Sequence, residues 1–147
     1  MNSSDDISLS IASEMLREVG LRRTIARINL LKCLADQTTP LTQAEITEKL
    51  SPHGFDSSTV FRGLTDLTEA GLVVRIDAGD RIWRFELHDR NPDGTRANHH
   101  HPHIYCHQCG QLVCLEYKII EMLRGSVDGW GIEDLIICGT CPDCHEM

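Results

Sequence analysis

Six of the seven cysteines of this chain fall between Cys106 and Cys144, and four of them form two Cys-x-x-Cys pairs, Cys106/Cys109 and Cys141/Cys144, separated by 31 residues. Each pair sets two thiols within reach of one ion, and two such pairs complete the tetrahedral sulfur shell that suits zinc. Gly110, directly after Cys109, permits a tight turn that aims backbone amides at the sulfurs. The gap exceeds that of the smallest zinc ribbons, so zinc here clamps the end of the chain to the start of this segment. The opening stretch, Met1 to Leu9, is acidic and polar, unlike a signal or transit peptide. A reducing cytoplasm is therefore expected, where clustered thiols imply metal or redox chemistry rather than disulfides. No apolar run approaches the roughly 20 residues that a membrane helix needs.

Ahead of the cysteines the chain reads as helical. Ile25, Ile28, Leu30, Leu31 and Leu34 give an apolar face at helical spacing. Thr42 and Glu45 form a capping-box pattern for a second helix that ends near Leu50. Asp56 to Ser58 are good caps for a third, with Val60, Leu64 and Leu67 on one face and Gly71 placed just past its end. The period then changes to that of strands, Leu72 to Ile76 and Arg81 to Leu87, joined by a Gly-containing turn. Helix, helix, helix, hairpin is the order of a winged helix-turn-helix domain. The polar stretch Asp89 to Asn98 reads as a boundary loop. Beyond it lie strands at His101 to Tyr105, Gln111 to Leu115 and Leu135 to Cys138, with a helix from about Glu116 to Val127. The expected organisation is a winged-helix domain over 1–88, a linker over 89–98 and a zinc-clamped α/β domain over 99–147.

His99-His100-His101-Pro102-His103 is a second metal-ligand pattern. In an extended strand His99, His101 and His103 share one face while His100 points away, and neutral imidazoles so arranged suit zinc, iron, nickel or copper. Glu86 and His88 likewise share a face of the hairpin strand. Cys33, Cys114 and Cys138 sit in elements where a packing role is expected. The net charge of −8 argues against a nucleic-acid partner, but Arg17, Arg22, Arg23, Arg27 and Lys32 oppose only Glu18 in one short stretch. Screening lets such a patch act locally within an acidic chain. On the third helix Ser57, Ser58, Thr59, Phe61, Arg62 and Thr65 form the polar face that would enter a major groove, with Phe61 suited to a thymine methyl and Arg62 to a phosphate or base edge.

Several of these pieces, in order, resemble the ferric uptake regulator (Fur) family of metal-dependent repressors. They are Gly20-Leu21-Arg22 with Thr24 and Arg27, Ser58-Thr59-Val60-Phe61-Arg62-Gly63-Leu64, Glu69-Ala70-Gly71-Leu72-Val73, Phe85-Glu86-Leu87, the histidine tract and the two cysteine pairs. The resemblance implies an α+β chain: an N-terminal winged helix and a C-terminal α/β dimerisation domain with structural zinc on Cys106, Cys109, Cys141 and Cys144. It implies a regulatory divalent metal (zinc, iron(II) or manganese) on Glu86, His101 and His103, and an auxiliary site on His100 and Glu121 with Glu133 nearby. It further implies a homodimer on inverted-repeat double-stranded DNA, contacted through Arg22, Arg27, Ser58, Thr59, Phe61 and Arg62. The family's histidine ahead of the second helix corresponds to Pro40, which carries no ligand, so His88 or water would substitute. Pro102 stands where an aspartate is common.

An enzyme is not expected, because four thiolates leave zinc no open position and there is no His-Glu-x-x-His helix. The alternatives are a zinc-ribbon interaction protein and a DNA-binding regulator whose sensing site has degenerated so that it no longer needs metal.

Overall fold

Four helix starts in the first half each follow a polar cap. The computed structural model describes residues 8–93, 95, 97 and 100–146; the acidic start up to residue 7, His99 and positions 94, 96 and 98 of the expected loop lie outside the described residues. The Ser8 hydroxyl caps α1 (Leu9–Glu18) and Thr24 caps α2 (Ile25–Ala35). After the short β1 (Leu41–Thr42), the capping box forms as expected at α3 (Gln43–Leu50): Glu45 N–H donates to Thr42 Oγ1 at 3.2 Å and Thr42 N–H to Glu45 Oε1 at 3.0 Å. Asp56 Oδ1 accepts the Thr59 amide at 2.8 Å to start α4 (Ser57–Glu69). Gly71, at φ 81°, reverses the chain after α4 in a conformation that costs other residues about 1–2 kcal/mol.

These helices pack on a three-stranded sheet of order β1-β3-β2, with β2 (Val73–Asp77) and β3 (Trp83–Leu87) antiparallel. One core joins Met15 and Leu16 of α1, Leu30 and Leu31 of α2, Ile46 of α3, Leu64 and Leu67 of α4, and Phe85 of β3. Each such side chain, fully buried, contributes about 1.5–3 kcal/mol. Helix α1 is an addition to the three helices expected. The wing is braced by buried Arg84, which donates to Asp80 at 2.8 Å and 3.3 Å. Arg75 lies over the Trp83 ring at 3.8 Å.

The chain divides at His88–Asp89 into two compact units. The second unit holds a sheet of order β5-β4-β6, made of β4 (His103–Cys106), β5 (Leu112–Cys114) and β6 (Ile136–Gly139), with β4–β5 antiparallel and β4–β6 parallel. Helix α5 (Lys118–Arg124) is shorter than the expected 116–127, with no side-chain cap at Tyr117 and Gly125 at its end. The chain closes with the one-turn α6 (Pro142–His145). Residues of the expected linker bond to one another, Asn91 N–H to Thr95 O at 2.7 Å and Ala97 N–H to Asp89 O at 2.9 Å. Cys138, expected to be buried, is exposed on the edge strand β6.

Candidate metal centres and DNA-reading helix

The hairpin between β4 and β5 is closed by Cys106-His107-Gln108-Cys109-Gly110. Cys106 N–H bonds to Gln111 O at 2.9 Å, Gly110 N–H returns to Cys106 O at 2.8 Å, and Gly110 takes φ 80° to make that turn. The parallel strand β6 then delivers Cys141 to the same place, since Cys106 pairs with Gly139 in the ladder. The sulfurs of Cys106, Cys109, Cys141 and Cys144 lie within 4.8 Å of one another, with Cys109 and Cys141 Sγ at 3.7 Å. The Cys141 amide donates to Cys106 Sγ at 3.3 Å. Amide donors at Cys109 and then Cys141 bring the Cys106 thiol down to about 6. Hydrogen bonding to the Cys141 sulfur, with burial and the other two thiols, pushes Cys144 up to about 12. Four sulfurs so close compete for negative charge unless a cation shares it, and this donor set fits zinc.

A second cluster lies at the start of the same unit. His101, His103 and Cys114 each offer a ligand atom within 4.8 Å of the others, and so do Asp89, His100 and His101. The His100 and His101 rings have centroids 4.1 Å apart and those of His101 and His103 4.6 Å. The expected alternation, with His100 turned away, does not hold: His100 and His101 precede β4, where strand pleating does not apply. Asp89 organises this segment. Its carboxylate accepts the His101 main-chain N–H at 2.9 Å and contacts His101 Nδ1 at 2.9 Å and 3.0 Å, while its own N–H donates to His100 Nδ1 at 3.1 Å. Burial raises the Asp89 carboxyl, but hydrogen bonds from His101 and Tyr117 outweigh it and hold the group at about 2. With the proton of His101 on Nδ1 toward Asp89, Nε2 carries the lone pair that can bind a metal. A cavity of about 900 Å³ opens beside this cluster, lined by Asp89, His101, Cys114 and Tyr117 among others.

Glu121 and Glu133 are exposed, and among the described residues neither joins a compact ligand group with His100. The auxiliary trio expected from sequence is thus not assembled here; His100 faces Asp89 and His101 instead. Glu86 is half-buried on β3, cross-strand from Val74, and His88 directly after it donates its N–H to Leu72 O at 3.0 Å. Pro40 is buried ahead of β1. Two residues of the cluster were not expected from sequence. Cys114 could have been found, because a turn closed by the Cys106–Gln111 pair sets residue 103 opposite 114. Asp89 carried no such signal.

In the first unit, α4 buries Val60, Gly63, Leu64 and Leu67 and turns Ser57, Ser58, Phe61, Arg62 and Thr65 to solvent. Phe61 is 51% exposed. Thr59 is half-buried and its amide belongs to the Asp56 cap. Arg22 is exposed just ahead of α2. Arg27, expected at the DNA interface, has its guanidinium bonded to Asp66 at 3.0 Å and to the Arg22 carbonyl at 2.7 Å, bracing α2 against α4.

A winged helix joined to a thiol-clamped α/β unit defines a class of metal-linked DNA-binding proteins. Residues 18–135 match the sequence profile of the ferric uptake regulator family. The chain is 30% identical over 148 residues to the peroxide-responsive repressor PerR of Staphylococcus aureus, covering 96% of this chain and 93% of that protein. Its fold resembles the ferric uptake regulator of Vibrio cholerae, with a TM-score of 0.65 and 25% identity over 88% of this chain and 98% of that one. It also resembles a zinc uptake regulator complexed with zinc and DNA, with a TM-score of 0.60 and 19% identity over 94% of this chain and 93% of that one. The chain belongs to the ferric uptake regulator family, whose members are metal-responsive transcriptional regulators and not enzymes. Among the described residues no helix is long and apolar enough to cross a membrane.

Proposed function

We propose that this protein is a metal-dependent, sequence-specific repressor of metal-uptake or oxidative-stress genes that binds an inverted-repeat operator as a homodimer. The observation that carries this reading is the solvent-facing side of α4, where Ser58, Phe61 and Arg62 stand on a well-capped helix of a winged-helix unit. In a major groove, Phe61 packs on thymine methyls, Arg62 and Ser58 meet phosphate or base edges, and Arg22 adds a cation ahead of α2. Arg27, bonded to Asp66, holds these two helices in register. Zinc on Cys106, Cys109, Cys141 and Cys144 contributes folding free energy to the second unit.

The dimer is proposed to form through the second unit. Val113, Ile104 and Ile137 form one cross-strand row on its sheet, all exposed, and Met122 and Trp130 of the same unit are 74% and 79% exposed. This exposed apolar row is the surface on which the proposed interface is placed. Glu86, His101 and His103 are the proposed regulatory ligands, with Glu86 from the first unit and the histidines from the second. A divalent ion bound there supplies charge that holds ligands from both sides of the His88–Asp89 boundary. The chain's own contribution is to restrict how the two units orient, so that two α4 helices match two half-sites.

Gel-shift titrations with and without divalent metal test this reading. Glu86→Ala and His101→Ala are expected to lose metal stimulation of DNA binding while keeping the fold; full stimulation in either variant contradicts the assignment. Pro40 favours a second reading, in which the regulatory site is degenerate and DNA is bound without metal. Retention of operator DNA by chelator-treated protein would select it.

A further inference from the structure

We propose that Cys114 is a thiolate ligand of the regulatory metal, so that the site takes zinc in preference to manganese or iron(II). The inference rests on the metal-responsive reading above and specifies which ion that site accepts.

The register of the β4–β5 hairpin places Cys114 for this role. Cys106 N–H bonds to Gln111 O at 2.9 Å and Leu115 N–H to Pro102 O at 2.8 Å, so the intervening His103–Cys114 pair is a non-hydrogen-bonded one. Such pairs bring their Cα atoms to about 4.5 Å and their side chains closest together. His103 and Cys114 share the inner face of the sheet with buried Tyr105 and Leu112, opposite exposed Ile104 and Val113. His103 is 1% exposed. His101 completes the group, its ligand atom, the His103 nitrogen and the Cys114 sulfur all falling within 4.8 Å. Asp89 fixes His101 by accepting at its Nδ1 at 2.9 Å, which turns Nε2 into the ligand nitrogen.

With the carboxylate proposed at Glu86, two imidazoles and a thiolate make a mixed donor set whose soft member is Cys114, and that thiolate is what shifts the preference toward zinc. Sulfur ligands favour zinc, whereas manganese and magnesium prefer oxygen, and the intrinsic order of affinity already places zinc above iron(II) and manganese. Binding requires the Cys114 proton to leave, so zinc uptake at this site releases it to solvent. Cys114 lies outside both Cys-x-x-Cys pairs and is half-buried. It can therefore serve this site without drawing on the four-cysteine one.

Cobalt(II) is the probe, because a cobalt–thiolate bond gives a near-ultraviolet charge-transfer band that nitrogen and oxygen ligands do not. The full chain is first given one equivalent of zinc to fill the four-cysteine site, then titrated with cobalt while zinc release is monitored. The expected result is a thiolate band on the second equivalent that disappears in Cys114→Ser, with cobalt affinity falling at least about tenfold. Cys114→Asp is expected to narrow the preference for zinc over manganese in competition. Second-site cobalt that binds the unaltered protein without a thiolate band overturns the assignment of Cys114 and leaves the metal-responsive reading in place. A band of equal strength in Cys114→Ser without zinc release overturns it in the same way. No cobalt uptake beyond the four-cysteine site overturns the metal-responsive reading and this inference together.

Discussion

Asp89 accepts both the main-chain and the ring N–H of His101 through its carboxylate and donates its own main-chain N–H to His100, so one residue sets the positions of two candidate ligands. Asp89→Asn keeps the shape and removes the charge. Second-site metal affinity is expected to fall roughly 10–100-fold while the four-cysteine zinc content stays the same; equal affinity in a competition assay contradicts the role. Residues of this kind explain why the candidate site was only partly legible in sequence. Each Cys-x-x-Cys pair is local, so its geometry follows from spacing alone. Asp89 meets His101 across a loop, and no periodicity predicts that meeting. Arg62 is tested on the DNA side. Arg62→Ala is expected to weaken operator binding by about 1–3 kcal/mol if it reads a base, or to lower the salt slope by about 1 if it meets phosphate. Unchanged affinity would remove it from the interface.

At the scale of elements, caps and turns were the legible part. Thr42 with Glu45 and Asp56 ahead of α4 are chemical signals confined to four residues, and they formed as read. Thr42→Ala is expected to cost about 1 kcal/mol of first-unit stability, measured by denaturant unfolding. Hydrogen bonds from Thr59 hold the Asp56 carboxyl below its ordinary value. Its folded pKa is therefore depressed, so the cap stabilises fully above the ordinary carboxylate range and weakens as pH falls through the folded value. Asp56→Asn keeps a cap without a titrating group, and its melting temperature should fall less steeply than wild type at acid pH. Parallel pH profiles would refute this. Helix α1 was less legible although Ala12, Met15 and Leu16 have helical spacing. Its solvent face also carries Leu9 and Ile11, each 51% exposed, which blurs the amphipathic pattern. His100 escapes strand alternation because it lies three residues ahead of the start of β4.

At the scale of the whole molecule, zinc is expected to hold the second unit together, whereas the first unit has its own apolar core. Cys106→Ser, or stripping with a strong chelator, is expected to unfold the second unit and abolish dimerisation while the first unit keeps its helical content. Unchanged zinc content and dimerisation would contradict the structural-zinc assignment. Metal is expected to govern specific DNA binding. This is tested most directly by selecting genomic DNA fragments on the purified protein, with zinc, iron(II), manganese or a chelator in parallel. The account predicts one shared inverted-repeat sequence retained with zinc and lost on chelation. Equal retention under every condition, or no specific retention under any, would contradict it.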